Sequence, residues 1–143
     1  MIAGTIALIA AALFAGGALH VTVSEQPARL RLSDQSKLLQ WKGSFARAQR
    51  MAPPLALSGL LFGLWAWWQT GNLLWAAGAL LVGVNIPFTL LIIQPINRSL
   101  LATDDRRADS TSNTLVARWG RLHDVRTGLA LAATAVMASA LLT

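Results

Sequence analysis

Residues Asn72 to Leu100 read NLLWAAGALLVGVNIPFTLLIIQPINRSL, and the fold class follows from this stretch. From Leu73 to Ile93 no side chain ionises, a length that crosses a hydrocarbon core of about 30 Å as a helix. The same span carries Asn85 and Pro87 near its middle, then Gln94, Pro95, Asn97 and Arg98 at its far end. An amide in hydrocarbon needs a partner, and each proline frees the carbonyl four residues before it. This face therefore belongs in a protein interior or a polar cavity. Two readings stand for Asn85 and Pro87: a kink held by an interhelical hydrogen bond, or a bend that opens a cavity.

Composition extends the reading to the whole chain. Of 143 residues, 55% are hydrophobic and 13% charged, against about 25% charged in soluble domains. The apolar material is spread end to end, which predicts one all-α integral membrane domain, a four-helix bundle. The absence of cysteine excludes disulfides, thiolate metal sites, thiol nucleophiles and c-type haem attachment. A net charge of +6 raises nucleic acid as a partner, but the basic residues flank apolar spans and are not interleaved with exposed aromatics. The expected partners are the lipid bilayer and a lipophilic small molecule, with no nucleic acid; a homo-oligomer remains open.

Four spans are expected, over about residues 1–23, 53–69, 73–97 and 119–143. The first lacks the basic start of a secretory signal, so it is read as a retained helix, and its Ala15-Gly16-Gly17-Ala18 run would admit a close neighbour. Over residues 33–51, Leu38, Trp41 and Phe45 fall at i, i+3 and i+7 among Lys37, Gln40, Lys42 and Arg47. That pattern predicts an amphipathic interfacial helix capped by Ser33 or Asp34, with a solvated basic loop as the competing reading. Pro53-Pro54 would open the second span. Trp65, Trp67, Trp68 and Trp75 surround the turn Gln69-Thr70-Gly71-Asn72 and read as an interface belt. Residues 103–113 form a polar connector, of which residues 104–112 are open to either order or disorder. The last helix is expected to be capped near Ser112 or Asn113, with Trp119, Leu122 and Val125 entering the interface.

Charge orients these spans. The connector after span one holds six Lys and Arg residues and the connector after span three holds five, whereas the N-terminus, the 69–72 turn and the C-terminus hold none. The positive-inside rule places both termini outside the plasma (inner) membrane and both basic connectors in the cytoplasm.

With depth assigned, His20, Gln94, Asn97, His123 and Arg126 share one leaflet, Glu25 lies just beyond, and Asn85 lies deeper. Intramembrane polar groups face a bundle interior and partner one another, which predicts a polar pocket on the cytoplasmic side. Glu25 and Arg126 either form an ion pair that joins two helix ends or serve catalysis. His123 has Trp119 at i−4 and Arg126 at i+3; the neighbouring cation disfavours a second positive charge, leaving the imidazole available as a neutral base. Soluble-enzyme motifs are missing, and two distant histidines predict no metal site. Haem held by His20 and His123 is the alternative cofactor reading to none.

The segments ALFAGGALHVTVSEQPARL (residues 12–30), NIPFTLLIIQPINRSLLA (85–102) and RWGRLHDVRTGLALAA (118–133) resemble, in order and spacing, the small four-span membrane proteins of the anthrone oxygenase family. The most specific matches are Glu25-x-Pro27-Ala28-Arg29, Asn97 followed by Leu100, and Trp119-x-x-x-His123-x-x-Arg126; His20 departs from the aromatic or apolar residue common there. The resemblance implies oxidation of a lipophilic tricyclic aromatic by O₂ without a cofactor. It implies His123 as base, Arg126 and Asn97 as oxyanion donors, and Glu25 as the group that orients the histidine or arginine. His20, Asn85, Gln94 and Trp119 would complete the substrate site. A non-catalytic protein that assembles a partner complex is the competing function.

Overall fold

The computed structural model describes residues 1–143, and they form four long helices: α1 (Ile2–Arg29), α2 (Asp34–Thr70), α3 (Leu73–Ala102) and α4 (Ser110–Leu141). Each is long and apolar enough to cross a membrane. Each packs on the next and α4 returns to α1, so the chain runs up and down around a closed square. Gly71 at φ 72° closes the turn between α2 and α3, and its amide hydrogen bonds to the Trp67 carbonyl.

The membrane-depth core is built from small side chains. Ala3, Ala7, Ala11 and Ala15 on α1 meet Ala56 and Ala66 on α2, Ala79 and Val82 on α3, and Ala130, Ala133 and Met137 on α4. Lipid and side chain are equally apolar, so close backbone approach rather than expulsion from water holds such helices together. Large apolar residues such as Ile2, Ile9, Leu13, Leu57, Leu61, Leu80 and Leu91 point outward. Gly78 marks one of the closest approaches: a Cβ there would lie 2.5 Å from Met137 Cγ and 3.3 Å from the Ala133 carbonyl oxygen. Gly78→Ala should therefore lower stability by about 1–3 kcal/mol through overpacking. Gly128→Ala, whose Cβ meets open space, should leave the thermal midpoint in detergent unchanged or raised. Equal midpoints for the two variants would contradict this packing.

Several expected boundaries shift. Residues 33–51 are helical and capped by Ser33, whose hydroxyl accepts from the Ser36 amide at 3.4 Å. They continue unbroken into the second span, so Pro53 and Pro54 lie inside α2 rather than at the start of a helix. The stripe Leu38–Trp41–Phe45 faces inward and packs on Ile93, Ile96, Leu100, Val116 and Trp119 as a second apolar cluster. Lys42 Nζ reaches the Thr103 carbonyl at 2.6 Å and Asp105 at 2.7 Å, which docks this segment on the connector. That connector is ordered by a short 3-10 turn, Asp105–Arg107. Asp109, not Ser112 or Asn113, caps α4 in a reciprocal capping box with Ser112. Trp65, Trp67 and Trp68 are exposed as a belt requires, but Trp75 is only 1% exposed, with its ring against Gly4. Gly16, expected at a close contact, faces open space.

A helix rises 1.5 Å per residue, so about 20 residues cross about 30 Å of hydrocarbon. Measured inward from Ile2, Thr70, Leu73 and Leu141, that distance ends near Thr22, Arg50, Ile93 and Arg121. Beyond this level all four helices continue at the end bearing the basic connectors, and the second apolar cluster fills the head they form.

Candidate functional site

Between the two apolar clusters lies a cavity of about 780 Å³, within the range of about 300–1,000 Å³ typical of small-molecule sites. Phe14 and Ala56 of the lower cluster and Trp41, Ile93 and Trp119 of the upper one border it. All eight residues expected at the site also line it: Glu25, Asn97, His123, Arg126, His20, Asn85, Gln94 and Trp119.

Local helix distortions make the room. In α1 the Gln26 amide bonds back to the Val21 carbonyl, and in α3 the Gln94 amide bonds back to Thr89, each five residues earlier. Both widened turns, Val21–Glu25 and Thr89–Ile93, are followed by Gln-Pro. Proline supplies no N–H and its ring crowds the carbonyl four residues before it; a wide turn relieves that clash. The bend at Asn85 is local too. Asn85 Nδ2 donates to the Leu81 and Val82 carbonyls of its own helix at 3.3 and 3.2 Å, not across helices as one of the two readings required.

The upper wall is an aromatic run. Phe45 stacks on Trp41 at 4.9 Å, Trp41 meets Trp119 edge-on at 5.9 Å, and Trp119 stacks on His123 at 4.9 Å between centroids. Trp119 Nε1 donates to Asn97 Oδ1 at 3.0 Å, and Asn97 Nδ2 donates to Gln94 Oε1 at 3.1 Å. Asn97 thus spends its oxygen and one amide hydrogen on holding the wall. A Trp119→Phe variant should cost about 1–3 kcal/mol by leaving Asn97 Oδ1 buried without a donor; an unchanged unfolding midpoint would show that this bond is not holding the wall.

Glu25 does not pair with Arg126, nor does it orient His123. Its carboxylate accepts from Arg29 at 3.2 Å and from Ser44 at 2.9 and 3.0 Å. Arg29, with its side chain fully buried, also donates to Gln26 and Gln40 and lies 5.5 Å above the Trp119 ring. Arg29 is the principal residue that the sequence reading left outside the site. Its signal was the Glu25–Arg29 spacing of i, i+4, which places the two side chains on one helix face. Arg126 instead sits 5.6 Å over Phe14, and His20 makes no hydrogen bond.

His123 is held by the backbone. Its Nε2 lies 3.2 Å from the Ala18 carbonyl oxygen; a carbonyl only accepts, so Nε2 carries the proton and the neutral ring keeps its lone pair on Nδ1. Nδ1 is buried without a protein partner, and so are Trp41 Nε1, Asn85 Oδ1, Thr89 Oγ1 and Arg126 Nε. These are the five buried side-chain polar atoms left unpaired, and all belong to residues that line the cavity. Buried polar atoms are nearly always paired, and leaving one unpaired costs about 1–3 kcal/mol. Five on the residues of one cavity are a concentration of unmet polar groups at this place in the bundle.

Fold and site together define a helical membrane-type bundle with an aromatic-walled, polar-studded cavity. Residues 41–136 match the anthrone oxygenase family, and the chain belongs to that family. The matched region contains Asn85, Gln94, Asn97, Trp119, His123 and Arg126, while His20 and Glu25 precede it. No curated protein and no solved structure matches the chain.

Proposed function

We propose that the cavity binds a lipophilic tricyclic aromatic ketone of the anthrone type and directs its oxidation by O₂ without a cofactor. The observation that carries this reading is the clustering of all five unpaired buried polar atoms around one aromatic-walled cavity. The methylene of an anthrone lies between two aryl rings, so loss of its proton gives an extended anion with charge on the carbonyl oxygen. His123 Nδ1 is the acceptor for that proton, and Arg126 is the donor to the oxygen. Asn97 acts indirectly by fixing Trp119, against which His123 stacks. The electron-rich anion reduces O₂ at the methylene carbon; loss of water from the resulting hydroperoxide gives the second carbonyl. Anthrone plus O₂ yields anthraquinone plus one water, which balances without an external reductant. Both basic connectors face the cytoplasm in this reading, and the protein sits in the plasma (inner) membrane.

The test is oxygen uptake by protein in nanodiscs supplied with anthrone. One O₂ consumed per anthraquinone formed, at a rate above protein-free discs, is expected. Anthrone binding without turnover would reduce the site to a carrier, and absence of binding would remove the reading.

A further inference from the structure

The cavity carries more positive charge than one developing oxyanion uses. Arg29, Arg47 and Arg126 line it against a single carboxylate, Glu25, whose oxygens are committed to Arg29 and Ser44. The chain's only other ion pair is Lys42–Asp105, neither of which lines the cavity. Asp124, near Arg126 in sequence, accepts from Thr22 and does not line the cavity. Arg126 answers the charge that forms during oxidation. Arg47 remains, exposed at the rim and with no hydrogen bond or ion pair.

Its position is specific. α2 packs closely along the Ile2–His20 part of α1 and makes few contacts with the wide turn Val21–Glu25 beyond it. Where they part, His20 on α1 and Arg47 and Met51 on α2 line the cavity while remaining exposed, and Ser44 and Met51, about one turn on either side of Arg47, meet Glu25 and Gly17 of α1. The mouth beside Arg47 therefore opens sideways between α1 and α2, at the level where hydrocarbon gives way to headgroups. Arg47 stands on the headgroup side of that mouth.

We infer that the ligand is an amphiphilic anion: an apolar aromatic body fills the cavity while its own oxyanion substituent, a carboxylate or its equivalent, is received by Arg47 at the lateral mouth. This rests on the aromatic-ligand reading above and adds a resident charge to it. An arginine at an interface, where water is depleted, pairs with a carboxylate through two parallel N–H donors. A phospholipid phosphate offers similar oxyanion chemistry at the same depth.

Binding of anthracene-9-carboxylate and of its neutral amide, followed by anthracene fluorescence in phosphatidylcholine nanodiscs, tests this. The parent should bind the acid about tenfold or more tighter than the amide. Arg47→Gln should erase that preference without weakening the amide, and Arg47→Lys should restore part of it. Arg50→Gln, a neighbouring exposed cation outside the lining, should change nothing. Equal affinity of the parent for acid and amide, or an Arg50→Gln effect as large as that of Arg47→Gln, would overturn the inference and leave the aromatic cavity standing. Failure of both probes to bind would overturn the cavity reading itself. Repeating the titration in phosphatidylglycerol discs separates the sources: an acid preference that persists assigns Arg47 to the aromatic ligand, and one abolished only there assigns it to the lipid headgroup and overturns the aromatic carboxylate.

Discussion

A His123→Gln variant should oxidise anthrone about 10²- to 10⁴-fold more slowly than the parent, the range that a positioned general base contributes, while remaining folded. The glutamine amide nitrogen can still donate to the Ala18 carbonyl, the contact that His123 Nε2 makes at 3.2 Å. Thr127 Oγ1 also reaches that carbonyl, at 3.3 Å. The helix contact therefore survives, but the remaining atom is an amide oxygen with no useful basicity. Binding of a non-reactive anthracene should persist, because Trp119, Trp41 and Phe14 still border the cavity. The result to look for is a loss in kcat with little change in affinity. A variant that binds and turns over like the parent would remove His123 as the base.

The second large effect concerns stability. Arg29→Met should destabilise the protein by about 3 kcal/mol, the scale seen when one partner of a buried ion pair is removed. The loss is not of one bond. Glu25 would keep only Ser44 and a long contact to Gln40, and the side-chain oxygens of Gln26 and Gln40 would lose their donor. Trp119 would lose the cation on its face. Arg29→Lys should rescue little, since an ammonium cannot present a planar fork to acceptors on two helices. Converting Glu25 to leucine alongside Arg29→Met should recover part of the loss by removing the stranded charge. Unfolding in detergent reads all three variants, and a parental midpoint for Arg29→Met would show that the network holds nothing together.

The four helices were legible because hydrocarbon thickness and the clustering of Lys and Arg leave few choices. The cavity was legible because Asn85, Gln94, Asn97, His123 and Arg126 sit where polar groups are costly. Their pairings were harder to foresee. Glu25 selects Arg29 over Arg126 because the two are one helical turn apart, whereas Arg126 lies on another helix over Phe14. The length of α2 was hidden by Pro53-Pro54, which read as a start although flanking contacts carry the helix through them. Trp75 looked like its neighbours in sequence, and only the missing side chain at Gly4, distant in the chain, reveals why it turns inward.

The two Gln-Pro turns have an implication for how the chain tolerates length changes. Each wide turn is in effect one surplus residue inside an otherwise regular helix. Deleting a single residue from Thr89–Ile93 would remove that surplus and let α3 return to ordinary four-residue hydrogen bonding, with the segments on either side keeping close to their present facing. Gln94 and Asn97 would still face the cavity and Trp119 would keep its acceptor, but the room that the wide turn opens and the relief that it gives the Pro95 ring would be lost. A deletion placed after the wide turn has no such outlet and would rotate Asn97 by about 100°, off the cavity.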